Sequence, residues 1–206
     1  MAYFPFFVDI EGMNILIVGG GTVALRKAEK LLPYGGAITV AAPELCDGLR
    51  EMPDIRFVQK PFDDGMLDSV DVVIAATNSR ELNRHIYDVC RERKIPVNSV
   101  DCKSECTFLF PSLVKRGALS VGISTSGASP SAAIWLKERI NELLPDNMEG
   151  LIEYLDRIRP YVKERLSTEE ERAKVLKAAF SKCMSEGRVL TEHELGTIIS
   201  GVRERE

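Results

Sequence analysis

With 206 residues, 45% of them apolar, the chain has enough material for one large domain or two small cores, and it needs no disulfide or metal to hold together. Its net charge of −4 is unevenly spread, with 12 Lys and Arg against 16 Asp and Glu up to Ser112 and 15 against 15 beyond it. This argues against sequence-independent nucleic-acid binding, which needs a clustered basic face. No run of about 18 apolar residues offers a membrane span. The opening Met-Ala-Tyr-Phe-Pro-Phe-Phe lacks the basic flank of a signal peptide, and five cysteines in no framework spacing predict free thiols, so a cytoplasmic protein is expected.

Asn14–Val18 is a short, β-branched apolar run that closes on Gly19-Gly20-Gly21, a buried strand entering a tight turn. Ala24, Ala28, Leu31 and Leu32 then recur at helical spacing, leaving Arg26, Lys27 and Lys30 to face water, until Pro33 and Gly35-Gly36 stop the helix. Ile38–Ala42 completes a βαβ unit. Strands are predicted again at Ile55–Gln59 and Asp71–Ala76. Leu82, Ile86, Val89 and Cys90 mark a helix ending near Lys94, and Pro96–Val100 is the next strand. Such near-continuous apolar strands fit a parallel sheet covered on both faces, and they place Asp101 at a strand's carboxyl end.

Beyond this the alternation stops. Thr107–Leu113 and Ala118–Ser124 read as a hairpin around Lys115-Arg116-Gly117. Ser129-Pro130 starts a helix with Ala133, Leu136, Ile140 and Leu143 on one face, ending at Pro145. The remainder is helical, with one stripe of Met148, Ile152, Leu155, Ile158 and Val162 and another of Leu176, Phe180 and Met184. Capping boxes stand at Thr168/Glu171 and Thr191/Glu194. The fold class is therefore α/β: a Rossmann-type parallel-sheet domain over 1–112, a small α+β segment over 113–145 and a helical carboxyl-terminal domain over 146–206.

Gly19-x-Gly21-x-x-Ala24 lies between a predicted strand and a predicted helix, where a glycine fingerprint gains meaning. Gly19 permits the tight turn, Gly21 lets backbone approach a pyrophosphate, and Ala24 allows close helix–strand packing. Gly20 and the amides of Thr22 and Val23 complete the phosphate loop at the helix amino end. After the second strand, Pro43-Glu44 supplies an acidic residue for a ribose, favouring NAD, while Arg50 and Arg56 leave a 2′-phosphate open. Ala76, Thr77 and Asn78 are expected to line the nicotinamide side of the crevice. An S-adenosylmethionine-binding fold, which also begins with a glycine-rich loop, is the rival.

From Phe4-Pro-Phe6 through Gly19–Lys27, Ala75–Asn78, Asn98–Asp101, Phe110–Ser112 and Ser124–Pro130, the chain resembles the precorrin-2 dehydrogenase family, which includes the amino-terminal half of siroheme synthase. The resemblance is strong over about the first 145 residues and then only one of helical character. It implies an NAD-dependent oxidation of precorrin-2, a tetrapyrrole, to sirohydrochlorin on the route to siroheme or cobalamin. Some members also insert ferrous iron into the product. It also implies a homodimer in which the segment 113–145 is exchanged, and, with no counterpart of the methyltransferase half of the fused members in these 206 residues, they are not expected to make precorrin-2 themselves. Asp101 matches the family's catalytic aspartate; from position alone it is equally a turn or N-cap residue.

Ser124, Thr125 and Ser126, beside a helix amino end, suit the substrate's carboxylates, or form a plain helix-entry loop. Thr125 stands where some relatives carry serine. Lys103 is either a partner for a propionate or a surface lysine. His85 and His193 are isolated, and no second pair completes Cys102 and Cys106, so no metal site is expected. A non-catalytic NAD(H)-sensing module is the alternative to the enzyme.

Overall fold

The computed structural model describes residues 3–100 and 102–204, so Asp101 lies outside the described residues. The chain divides into two compact units, 1–110 and 111–206.

In the first unit, β1 (Asn14–Val18), β2 (Ala37–Ala41), β3 (Ile55–Val58), β4 (Val72–Ala75) and β5 (Val97–Ser99) form one sheet in the order β3-β2-β1-β4-β5, every pair parallel. Ile15 through Val18 are all buried because β1 is covered on both faces. Ile15 and Ile17 pack with Ala24 and Ala28 of α1 (Thr22–Leu31), while Leu16 and Val18 pack with Ile86 and Cys90 of α3 (Arg80–Glu92). A four-residue α2 spans Asp47–Arg50. Val18 lies beside both Ala41 and Ala75, so three strands end together. The strand order reverses beside β1, which has β2 on one side and β4 on the other, and it is at the carboxyl edge of such a switch point that open α/β sheets bind ligands.

Two features depart from the sequence reading. Only a 3₁₀ turn, Asp64–Leu67, joins β3 to β4, so the face opposite α1 carries an open cleft lined by Leu16, Thr39, Arg56 and Val58 among others. The strand expected from Thr107 begins at Ser112 instead. Cys106 bridges antiparallel to Asn98, and the Thr107 amide donates to the Val97 carbonyl, so this stretch lies along the edge of β5 before Pro111.

In the second unit, β6 (Ser112–Arg116) and β7 (Leu119–Ile123) form an antiparallel hairpin, with Gly117 at φ 53° in the turn. Ser129 caps α4 (Pro130–Leu143) by accepting from the Ala132 amide. α5 (Met148–Arg165), α6 (Glu169–Glu186) and α7 (Glu192–Arg203) share one core. Both capping boxes form, with Thr168 and Thr191 each exchanging bonds with the glutamate three residues on. The core face of α6 is Val175, Ala179 and Cys183, one residue round from the expected Leu176, Phe180 and Met184, because small side chains let the helices approach. On α4 only Ala133 is buried, whereas Trp135 is 54% and Leu143 79% exposed, so its predicted apolar face is not a core face within this chain.

Candidate nucleotide-binding site

The glycine loop is shaped by close approaches on two sides. Gly19 has φ 119°, a conformation open to glycine, and a Cβ there would run into the Ala76 carbonyl oxygen. A Cβ on Gly20 would meet the Glu44 carbonyl oxygen, and the Gly20 carbonyl accepts the Cys46 amide at 2.7 Å. The sequence reading gave Gly20 no separate task; the structure makes it the point where the phosphate loop touches the β2 loop. Gly21 differs, because a Cβ there would meet nothing within 4 Å. No atom of the described residues stands within 4 Å on that side, which leaves room for a ligand.

Gly21 is the N-cap of α1, in extended backbone, with no side-chain cap and no acidic residue in the first helical turn. The Leu25 amide donates to the Gly21 carbonyl, so the amides of Thr22, Val23 and Ala24 precede the helix's own bonding pattern. Uncapped amides at the positive end of a helix dipole form an anion site. The pyrophosphate of a dinucleotide fits this cradle in charge, in donor set and in the open space at Gly21.

Around it, Pro43 and Glu44 follow β2 and are exposed. The Glu44 backbone is fixed against Gly20 while its carboxylate faces solvent. Arg56, considered for a 2′-phosphate, stands in register with Thr39 and Leu16, on the sheet face opposite α1 and in the open cleft. That position directs it away from α1.

After β4, buried Ala76 donates its amide to the Val18 carbonyl at 2.8 Å. Thr77 is held by a residue that the sequence reading missed. Asn83, 1% exposed on α3, accepts from the Thr77 amide (3.2 Å) and hydroxyl (2.7 Å) and donates to the Thr77 carbonyl (3.0 Å). Thr77 therefore braces the loop, and exposed Asn78 is the side chain it presents. The available signal was a polar residue on the same helical face as Ile86 and Cys90.

Beyond β5, Lys103 is exposed in a 3₁₀ turn, Lys103–Glu105. Glu105 is buried, with Oε1 accepting from Arg84 at 3.3 Å and Oε2 without a partner among the described residues. Lys27 does not face water as expected. It is half-buried, with Nζ 3.8 Å from the Phe110 ring centroid and 3.5 Å from Asn98 Oδ1. Burial, helped by the charge of Lys30, pushes its pKa down to about 8.

In the second unit, Ser124, Thr125 and Ser126 make a tight loop. Ser124 Oγ accepts from the Ser126 amide at 3.1 Å. The Thr125 hydroxyl donates to the Ser129 carbonyl and accepts from its amide, so it is held within the loop. His85 bonds Asp64 at 2.8 Å on the surface. Among the described residues no three His, Cys, Asp or Glu side chains are grouped to hold a metal ion. No described helix is long and apolar enough to cross a membrane.

Residues 6–112, just over half the chain, match the family model described as "Putative NAD(P)-binding". The chain belongs to this NAD(P)-binding family. It is also 37% identical over 184 residues to a siroheme synthase of Photorhabdus laumondii and 38% identical over 185 residues to one of Zymomonas mobilis, covering 88% of this chain in each case. It spans 39% of the length of each of these relatives. A solved structure described as SirC, precorrin-2 dehydrogenase, is similar over 98% of this chain and 100% of that chain, with a TM-score of 0.71 and 25% sequence identity. The Rossmann-type reading of the first unit, with helices beyond it, agrees with these likenesses.

Proposed function

We propose that this chain oxidises precorrin-2 to sirohydrochlorin with NAD as the acceptor, in siroheme biosynthesis. The observation that carries the reading is the likeness to a precorrin-2 dehydrogenase along nearly all of both chains, joined to a glycine loop built for a dinucleotide.

Bound NAD supplies a hydride acceptor, and the residues of this chain do the rest. The uncapped amides of Thr22 and Val23, with Gly19, Gly20 and Gly21, hold the pyrophosphate. Glu44, beside Pro43, accepts from the adenosine ribose hydroxyls and repels a 2′-phosphate, which favours NAD over NADP. Ala76, Thr77 and Asn78 border the nicotinamide. Asp101, just past β5, is the catalytic residue: it takes the proton released as the tetrapyrrole becomes more conjugated. Ser124, Ser126 and Lys103 are assigned to the substrate's carboxylates, and Thr125, whose hydroxyl is bonded to Ser129, to shaping the loop that carries the two serines. The neighbouring amino end of α4 favours anions.

We assign 1–112 to cofactor binding, 113–145 to dimerisation and 146–206 to a helical domain. A homodimer is supported by the exposed Ile134, Trp135, Leu136 and Leu143 of α4, an apolar surface that a second copy would cover. The five free thiols fit the reducing cytoplasm.

Wild type and Asp101→Ala are incubated anaerobically with precorrin-2 and NAD, following NADH. The proposal expects turnover by wild type and a loss of at least about 100-fold in the variant. NAD binding without turnover by wild type favours a sensing module instead, and full activity of the variant removes Asp101 from the mechanism. Ferrous iron added after oxidation is complete then tests it as a second substrate, against protein-free insertion.

A further inference from the structure

Lys27 is a half-buried cation with no carboxylate partner among the described residues. It lies in the second turn of α1, and its side chain crosses to the β5 side of the sheet. There Nζ meets Asn98 Oδ1 at 3.5 Å and the Phe110 ring at 3.8 Å. Asn98 is itself buried, and its Nδ2 donates to the Phe108 carbonyl at 3.0 Å and to Cys106 Sγ at 3.4 Å. A single amide therefore joins an ammonium on α1 to the segment running from Cys102 to Phe110, which follows Asp101 directly.

We infer that Lys27 is a positioning residue for the reaction proposed above: by donating to Asn98 and lying over Phe110, it holds the segment after Asp101 against β5. The inference rests on the dehydrogenase reading and adds a residue to it. A lysine used only for packing would be better replaced by methionine, which fills similar space without a charge to desolvate. The ammonium gives two interactions that methionine cannot, a charge-assisted bond that fixes which end of the Asn98 amide faces α1 and a cation–π contact. With Oδ1 turned toward Lys27, Nδ2 is directed to Phe108 and Cys106.

The proton on Lys27 titrates near the working range. Its pKa is pushed down to about 8 by burial and by Lys30 on the same helix, with the Cys106 thiol opposing. Asn98 on β5 and the Phe110 ring are the neutral groups that face it. Loss of the proton weakens both interactions, so the clamp loosens as pH rises through this region.

The test compares wild type, Lys27→Met and Lys27→Arg in the anaerobic precorrin-2 assay across pH, alongside hydrogen exchange of the amides of 102–110. Wild-type kcat is expected to fall as pH rises through about 8. Lys27→Met should lose about 10- to 100-fold in kcat, with KM for NAD within about twofold, and should lose that alkaline limb. Lys27→Arg should recover most of kcat and move the limb upward, since arginine keeps its charge. Exchange in 106–108 should be faster in Lys27→Met and near wild type in Lys27→Arg. A Lys27→Met enzyme with wild-type kcat, pH profile and exchange overturns the inference while leaving the dehydrogenase reading standing. Wild type that forms no NADH overturns both.

Discussion

Asn83 and Thr77 are joined by three hydrogen bonds, two accepted and one donated by the Asn83 side chain, so a helix residue fixes the loop that follows β4. Asn83 is buried and Thr77 half-buried, and the Thr77 amide has no other acceptor in these bonds. Leucine at position 83 would match the amide in size and leave the Thr77 amide and carbonyl without the Asn83 side chain, while the hydroxyl keeps the Ser79 carbonyl at 3.1 Å. Asn83→Leu is expected to cost about 2 kcal/mol of stability, because buried polar groups left unmade keep their desolvation penalty. It should also weaken NAD binding, since the loop carrying Asn78 loses its brace. Urea unfolding and an NAD titration check the two effects.

Gly20 and Gly21 separate packing from ligand approach. A methyl group at Gly20 collides with the Glu44 backbone, whereas one at Gly21, where φ is −89°, meets no protein atom. Gly20→Ala should lose roughly 1–3 kcal/mol of stability through forced backbone shifts. Gly21→Ala should keep the wild-type Tm yet bind NAD about tenfold or more weakly, by crowding the diphosphate. Equal Tm losses in the two variants would contradict this division.

In the proposed reading Glu44 sets cofactor choice by charge. Glu44→Ala should weaken NAD binding by about 1 kcal/mol or more, the worth of one or two ribose hydrogen bonds, and narrow the preference over NADP. Parallel titrations with the two nucleotides read this directly. An unchanged NAD-to-NADP ratio would remove Glu44 from the site.

Lys27 gives the fold a pH signature. Its folded pKa of about 8 lies below the ordinary 10.5. At neutral pH both folded and unfolded chains hold the proton, and the cost of burying the charge is fully present. Between about 8 and 10.5 the unfolded chain binds the proton more tightly, so stability rises with pH. Lys27→Met should be more stable than wild type at pH 7, and the gap should close as pH nears 10. Denaturation midpoints at both values measure it.

Much of the first unit was legible in the sequence because its signals are local. Ile15–Val18 is apolar without a break, and Gly19 and Gly21 stand where a strand hands over to a helix. Thr168 and Thr191 announce helix starts from three-residue spacings. What escaped depends on partners distant in the chain or on another face. Lys27 meets Asn98 71 residues away, and nothing nearby says that a lysine between Arg26 and Ala28 turns inward. On α6 two apolar stripes lie side by side, and the bulk of Phe180 and Met184 drew the reading from Ala179 and Cys183, which are small enough to pack. On α4, Leu136 and Leu143 have core-like spacing, yet of this helix only Ala133 is buried. The candidate substrate loop was legible as hydroxyls near a helix start, but not the inward bonding of Thr125 to Ser129.

The most direct test of the central claim is an anaerobic single-turnover experiment with purified protein, precorrin-2 and limiting NAD, quantifying NADH and tetrapyrrole product together. The account predicts that NADH and sirohydrochlorin appear mole for mole and at one rate, with NADP a poor substitute. Bound NAD that stays oxidised while precorrin-2 remains unchanged would contradict it.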